Sequence, residues 1–213
     1  MKSLRLILLS VFASMLLTAC GAPHYFIDAD WTENSKPTNV KVVFSMPKVA
    51  EPDDLRDDLP EYTSNFAKWF GPELKENLVS RSRDNVHYSM SLIQRENISY
   101  KKKELGDDEF SVPYFDLMKN DADIYLVVSN VWIGRESETQ WISNGVGTTM
   151  VTYLYFSMKC RYAFYDARTK KLLGYGHSKG RTGYTFAVTR SDWESSLRKM
   201  VYNLARETPL FVR

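Results

Sequence analysis

Cysteine is almost missing from this chain: two residues in 213, at positions 20 and 160. A disulfide framework is thereby excluded, and stability has to come from packing. Histidine is as scarce, with only His24, His87 and His177. No two stand at a metal-ligand spacing, and His87 and His177 fall on different strands, so no metal is expected. The sequence holds no Gly-x-Ser-x-Gly elbow, no P-loop and no His-Glu-x-x-His run, and it assigns no catalytic residue. Internal repeats and low-complexity tracts are absent. Charge of one sign is not in excess: the formal net charge of +2 gives no reason to expect nucleic acid or an acidic polymer as partner. Beyond the first twenty residues no apolar run approaches the roughly 20 residues that cross a bilayer as a helix.

What is present begins at the amino terminus. Lys2 and Arg5 lead into an apolar run from Leu6 to Leu17, and Thr18 and Ala19 put small residues before Cys20. The run is too short to span a membrane and reads as a removable signal, residues 1–19. Leu17-Thr18-Ala19-Cys20 resembles the lipobox of bacterial lipoprotein signal peptides. That resemblance implies cleavage before Cys20 and attachment of lipid, palmitate included, to Cys20; no other cofactor is expected. Two acyl chains anchor a protein stably where one does so only marginally. Gly21 stands where an Asp would signal inner-membrane retention, which favours the outer membrane, facing the periplasm. Loss of Lys2 and Arg5 with the signal leaves 26 basic against 26 acidic residues, with Cys160 the one unmodified thiol.

From Gly21 to Asn39 the chain mixes Pro, Asn, Ser and charges without apolar periodicity. Residues 20–39 therefore read as a lipidated terminus and flexible tether, and residues 40–213 as a single globular domain. Val40–Met46 makes a first strand, stopped by Pro47. Glu51–Asp58 is an acidic loop lacking the ligand spacing and central glycine of an EF-hand. Phe66, Trp69, Phe70, Leu74 and Leu78 form one apolar stripe in a helical region from about Glu61 to Arg83, with a kink or restart at Gly71-Pro72. A strand is expected over Val86–Gln94, a charged loop at Lys101-Lys102-Lys103 and a short helix over Pro113–Lys119. Ala122–Trp132 reads as a central strand, Gly134–Gly147 as a polar connection, and Thr148–Asp166 as the longest strand. A turn then leads to a strand from Leu172 to about Lys179. Ser191 with Glu194 has the spacing of a capping box, opening a last helix with the stripe Trp193, Leu197, Val201 and Leu204. These elements predict a mixed α/β fold, a mostly antiparallel sheet with packed helices.

Alternation divides the long strand. Its even positions, from Leu154 to Phe164, face the core, and Cys160 among them is an inert buried thiol. Its odd positions include Tyr153, Tyr155, Ser157, Lys159, Arg161 and Tyr165 and are wetter. Aromatic residues beside Arg and Lys are what protein interfaces favour. Tyr153, Tyr155 and Arg161, with Trp141 from the preceding segment, are therefore the candidate partner-binding residues. The competing reading is a second core face covered by helices. The glycines between Gly174 and Gly180 suit a strand on which a helix or neighbouring chain packs closely. Ser178 and Lys179 are adjacent on that strand, point to opposite faces, and so do not form a catalytic dyad. Asp107-Asp108-Glu109 reads as a solvated loop.

Asn120 to Val127 forms the approach to a central apolar strand, and Tyr162 to Leu173 a hairpin carrying an Asp and a basic turn, before a capped final helix. In that order, behind a lipobox, the chain resembles periplasmic lipoproteins sharing the fold of the curli-secretion-pore family and of the lipoprotein activators of penicillin-binding proteins. The likeness covers about Val40 to Leu210, with the acidic loop replacing the family's short glycine-rich stretch after the first strand. It implies a non-enzymatic, partner-binding role. The expected function is that of a lipid-anchored accessory or scaffold protein binding another envelope component. One alternative is a ring-forming secretion or pore subunit whose residues 134–150 extend a hairpin that pairs with other copies. Another is an envelope hydrolase acting on cell-wall or glycan material, with carboxylates or His87 and His177 converging in a cleft.

Overall fold

Extended alternation in the second half of the chain produces two very long strands. In the computed structural model, which describes residues 25–34, 38–51, 53, 55, 66–105, 108–143, 145 and 147–211, they are β7 (Ile124–Ser143) and β8 (Thr148–Asp166). With β9 (Leu172–Gly183) they form an antiparallel meander at the centre of a mixed sheet. The turn between β8 and β9 is made by Asp166, whose carboxylate accepts the Thr169 N–H at 2.6 Å and its hydroxyl at 2.8 Å. Lys170 takes φ +60° there.

The opposite end of the sheet is parallel. β2 (Asn39–Ser45) runs parallel to β7 on one side and to β4 (His87–Ile93) on the other, with a two-residue β3 (Lys48–Val49) added further along β7. A parallel pair needs a crossover, and helix α2 (Phe66–Val79) supplies it between β2 and β4. The helix does not restart at Pro72, which lies inside it. Gly71 beside it is set by packing: a Cβ there would come within 2.9 Å of the Phe44 ring, which sits against Phe70 at 5.8 Å. The expected start near Glu61 and most of the acidic segment 51–58 lie outside the described residues; Leu55 within that segment is fully buried.

Two layers cover the sheet. On one face, α2 and the final helix α3 (Arg190–Ala205) enclose the main core with Phe156, Met158, Cys160, Tyr162 and Phe164. Trp193 of α3 meets Phe156 at 4.7 Å and Trp69 edge-on at 5.5 Å. The capping box of α3 is Thr189 with Asp192, two residues ahead of the expected Ser191 and Glu194: Asp192 accepts from the Thr189 N–H at 2.9 Å and hydroxyl at 2.7 Å. On the other face lies a separate antiparallel hairpin, β5 (Ile98–Leu105) and β6 (Asp108–Phe115). Phe110, Val112 and Phe115 of β6 pack on Tyr125, Val127, Ala163, Tyr165 and Tyr175. Two expectations fall here. Lys101-Lys102-Lys103 is strand, not loop, and Pro113–Phe115 ends a strand rather than starting a helix. The three lysines stay in water while their strand pairs with β6, Lys102 joining Glu109 at 2.9 Å. Glu109 is likewise in β6; Asp107 is outside the described residues.

The amino-terminal segment is the largest revision. Residues expected to be tether form strand β1 (Tyr25–Ile27), paired to the edge of β9, and helix α1 (Ala29–Asn34). Trp31 is 2% exposed and lies 5.1 Å from Phe164. The folded body thus begins by Tyr25, not near Val40. A short segment held by one buried aromatic, Trp31, needs no apolar periodicity to anchor itself, so the sequence pattern stays silent there.

Candidate functional site

The polar connection expected from Gly134 to Gly147 is mostly strand. β7 runs on to Ser143 and pairs with β8 down to Ser143 opposite Thr148. Past Ser137 opposite Leu154 no third strand among the described residues accompanies the pair, because β9 leaves β8 at Tyr155 and β3 leaves β7 at Ile133. The hairpin therefore overhangs the body. Between Thr139 and Met158 it carries no charged residue, and Trp141, Ile142, Met150, Tyr153 and Leu154 are all exposed.

A bulge decides which of these share a face. The register shifts between Ser129 and Trp132, where Asn130 takes φ +48°. One inserted residue reverses the parity of everything after it. Before the bulge, odd positions of β7 face the β5–β6 hairpin; after it, even positions do. Trp141, opposite Met150, therefore points to the helix side of the sheet. Tyr153, Tyr155 and Arg161 point to the other side. The structure brings those three onto one surface and separates Trp141 from them.

That odd surface splits between the two readings the sequence left open. Ala163 and Tyr165 are buried beneath the β5–β6 hairpin, so this stretch is a second core face, covered by strands instead of helices. From Arg161 to Tyr153 the surface is open and laddered with charge. Glu136 accepts from Lys179 at 2.7 Å and Ser157 at 2.6 Å and is also paired with Lys159. Lys159 lies 4.9 Å above the Trp132 ring. One rung outward, Arg181 binds Glu138 at 2.7 Å and stacks over Tyr155 at 4.3 Å. One rung inward, the Arg161 Nε–H donates to His177 Nε2 at 3.1 Å, and His177 rests on Phe110 at 4.3 Å. Burial opposes ionisation of Glu136, but its two lysines and Ser157 outweigh it and hold the carboxyl down at about 2. Hydrogen bonds from Gln140 and Arg181 lower Glu138. Glu136, Glu138, Trp132, Lys179 and Arg181 were absent from the candidates; two glutamates spaced by one residue, on a strand paired with the one that carries Lys159, would have signalled them had the strand been extended past Gly134.

The remaining chemistry-bearing residues stay apart. His87 on β4 and His177 on β9 are four strands from each other, roughly 19 Å across the sheet, so they do not share a cleft. His24 and Cys20 lie outside the described residues. Cys160 is buried, and burial pushes its thiol up to about 12. Ser178 turns to α3, donating to the Met200 carbonyl at 2.5 Å, while Lys179 turns to Glu136. Among the described residues no group of three or more His, Cys, Asp or Glu is placed to hold a metal ion, and no helix is long and apolar enough to cross a membrane. The acidic residues of the Asn120–Val127 stretch serve the fold: the Asp123 carboxylate accepts the Thr38 and Asn39 amides, both at 2.9 Å, and those bonds lower it.

No family model and no curated protein matches the sequence. Solved structures do match in part. A neuraminyllactose-binding hemagglutinin homolog from Helicobacter pylori is 13% identical with TM-score 0.35, over 86% of this chain and 84% of that one. A hypothetical protein of Chlamydia trachomatis is 14% identical with TM-score 0.37, over 81% and 93%. A minor lipoprotein from Acinetobacter baumannii is 13% identical with TM-score 0.27, over 78% and 87%. Likeness at this level carries no argument about what the present chain does.

Proposed function

We propose that the protein is a lipid-anchored accessory or scaffold protein of a bacterial envelope, held by Cys20 at the outer membrane facing the periplasm, that binds another envelope protein without catalysing a reaction. The overhang of the β7–β8 hairpin carries this reading. A strand pair that leaves its sheet gives up cover for its backbone edges and side chains, and this one displays apolar and aromatic side chains on both faces. Open apolar surface rimmed by polar groups is the mark of a docking site. The Tyr153–Tyr155 side adds aromatic rings next to Arg181, the composition of an interface core. Tethering by Cys20 raises the effective concentration of partners on the same surface.

Two measurements test the two halves. Growth of the native host with labelled palmitate is expected to label the wild-type chain and not Cys20→Ala; an unlabelled wild type overturns the anchor. Photo-crosslinking residues at positions 153 and 155 in intact cells are expected to capture a discrete envelope protein. Capture of only further copies of this chain, with a large defined oligomer after mild detergent extraction, would replace the accessory role by the ring-forming one.

A further inference from the structure

A groove of about 670 Å³ lies between β9 and α3 on the edge of the sheet, away from the hairpin tip, where Arg81, Arg198, Lys199 and Tyr202 border the backbone of Lys179–Arg181. None of the described residues lining it is acidic. Lys179 and Arg181 are matched by Glu136 and Glu138 on the far side of β9. Arg198 and Lys199 are exposed, and Arg81 is held over the Tyr202 ring at 5.3 Å. The floor is built: Lys199 Nζ donates to the Arg181 carbonyl at 3.0 Å and Asn203 Nδ2 to the Lys179 carbonyl at 2.9 Å. The strand edge is thereby closed to a further strand, so the groove is shaped for an anion and not for β-augmentation.

Chain direction says which anion. β1 pairs antiparallel with β9, Tyr25 opposite Gly176 and Ile27 opposite Gly174, so the chain comes into β1 from the side of Lys179 and Arg181. Cys20 precedes Tyr25 by five residues, which span at most about 17 Å. The four-residue step from Gly176 to Gly180 along β9 is about 13 Å. The lipidated residue is therefore tethered within range of the groove. Phe186, 95% exposed, sits on the loop joining the two elements that form its walls, and an exposed aromatic beside cations suits a headgroup boundary.

We infer that this groove docks on the phosphate groups of anionic phospholipids in the bilayer that holds Cys20, fixing the orientation of the body and leaving the β7–β8 hairpin free for its partner. The inference rests on the lipid-anchor reading for its choice of a bilayer. Its test is separable, because it uses the unacylated chain from Gly21 to Arg213, which contains every described element. Co-sedimentation is measured with phosphatidylcholine vesicles, with and without about one third phosphatidylglycerol. Binding is expected to prefer the anionic vesicles and to weaken about thirtyfold in Arg198→Glu, which changes the charge by two at about 1 kcal/mol per charge near such a surface. Arg81→Gln is expected to weaken it less, with both variants keeping the wild-type near-ultraviolet circular dichroism. Equal binding to neutral vesicles, or no loss in either folded variant, overturns the proposal. Displacement from vesicles by millimolar inorganic phosphate alone would make this a free-phosphate site and also overturns it. Failed palmitate labelling with anionic binding intact would instead remove the anchor and leave the groove.

Discussion

Glu136 shows how one side chain ties three strands. Its carboxylate collects Lys159 and Ser157 from β8 and Lys179 from β9, and those contacts keep it ionised far below the usual glutamate range. A folded-state pKa lowered from 4.5 to about 2 contributes stability that is complete above about pH 5 and lost as pH falls from there toward 2. Glu136→Gln is expected to cost about 2 kcal/mol at neutral pH, since two lysines lose their counter-charge. It should also flatten the fall of urea midpoint between pH 5 and 2; an unchanged acid limb would show that other carboxylates carry it. Gly180 has an equally specific role. A Cβ there would lie 1.9 Å from the Ser196 carbonyl oxygen and 2.5 Å from the Met200 nitrogen. Gly180→Ala should therefore push α3 off β9 and cost about 3 kcal/mol in urea unfolding. The reading that these glycines admit a close-packed helix is met at Gly180, while at Gly174 the neighbour is β1, with a Cβ 2.7 Å from Ile27 Cδ1.

At the scale of elements, strands with strict alternation were legible and their partners were not. The limits of β8 match the pattern residue for residue, because hydrophobic period two is a local property. The 134–143 half of the hairpin was misread as loop because its polar residues find their backbone partners in β8, which no local pattern reveals. The same holds for the lysine run of β5 and for Pro113 near the end of β6. Since the overhang adds nothing to either core, replacing Thr139–Thr152 by a two-residue Asn-Gly turn is expected to leave the melting temperature within about 3 °C of wild type while abolishing partner capture. A large drop in melting temperature would mean that the hairpin is structural.

At the scale of the whole molecule, a mixed sheet is held between two helices on one face and a strand hairpin on the other, and a segment ahead of residue 40 closes its β9 edge. Lys171 secures that segment by pairing with Asp28 at 2.9 Å, which lowers the Asp28 carboxyl. Trp31→Ala is expected to cost about 3 to 5 kcal/mol, measured by urea unfolding; a loss below about 1 kcal/mol would return residues 25–34 to the tether. With these residues folded, four residues rather than nineteen separate Cys20 from the body, which on the anchor proposed above would restrict the body to poses close to a membrane.

The sequence alone determined the mixed α/β class, the buried even positions of β8 from Phe156 to Phe164 with Cys160, and the aromatic, basic character of the odd face, while Leu154, expected in that core, is exposed. Each of these depends on neighbours a few residues apart. Only the tertiary structure decided that Trp141 faces away from Tyr153 and Tyr155, that Glu136 and Glu138 meet Lys159, Lys179 and Arg181, and that Arg81, Arg198 and Lys199 gather along one groove beside β9. A single bulge and the order of strands set all three, and both are fixed by long-range pairing energies that local pattern does not encode.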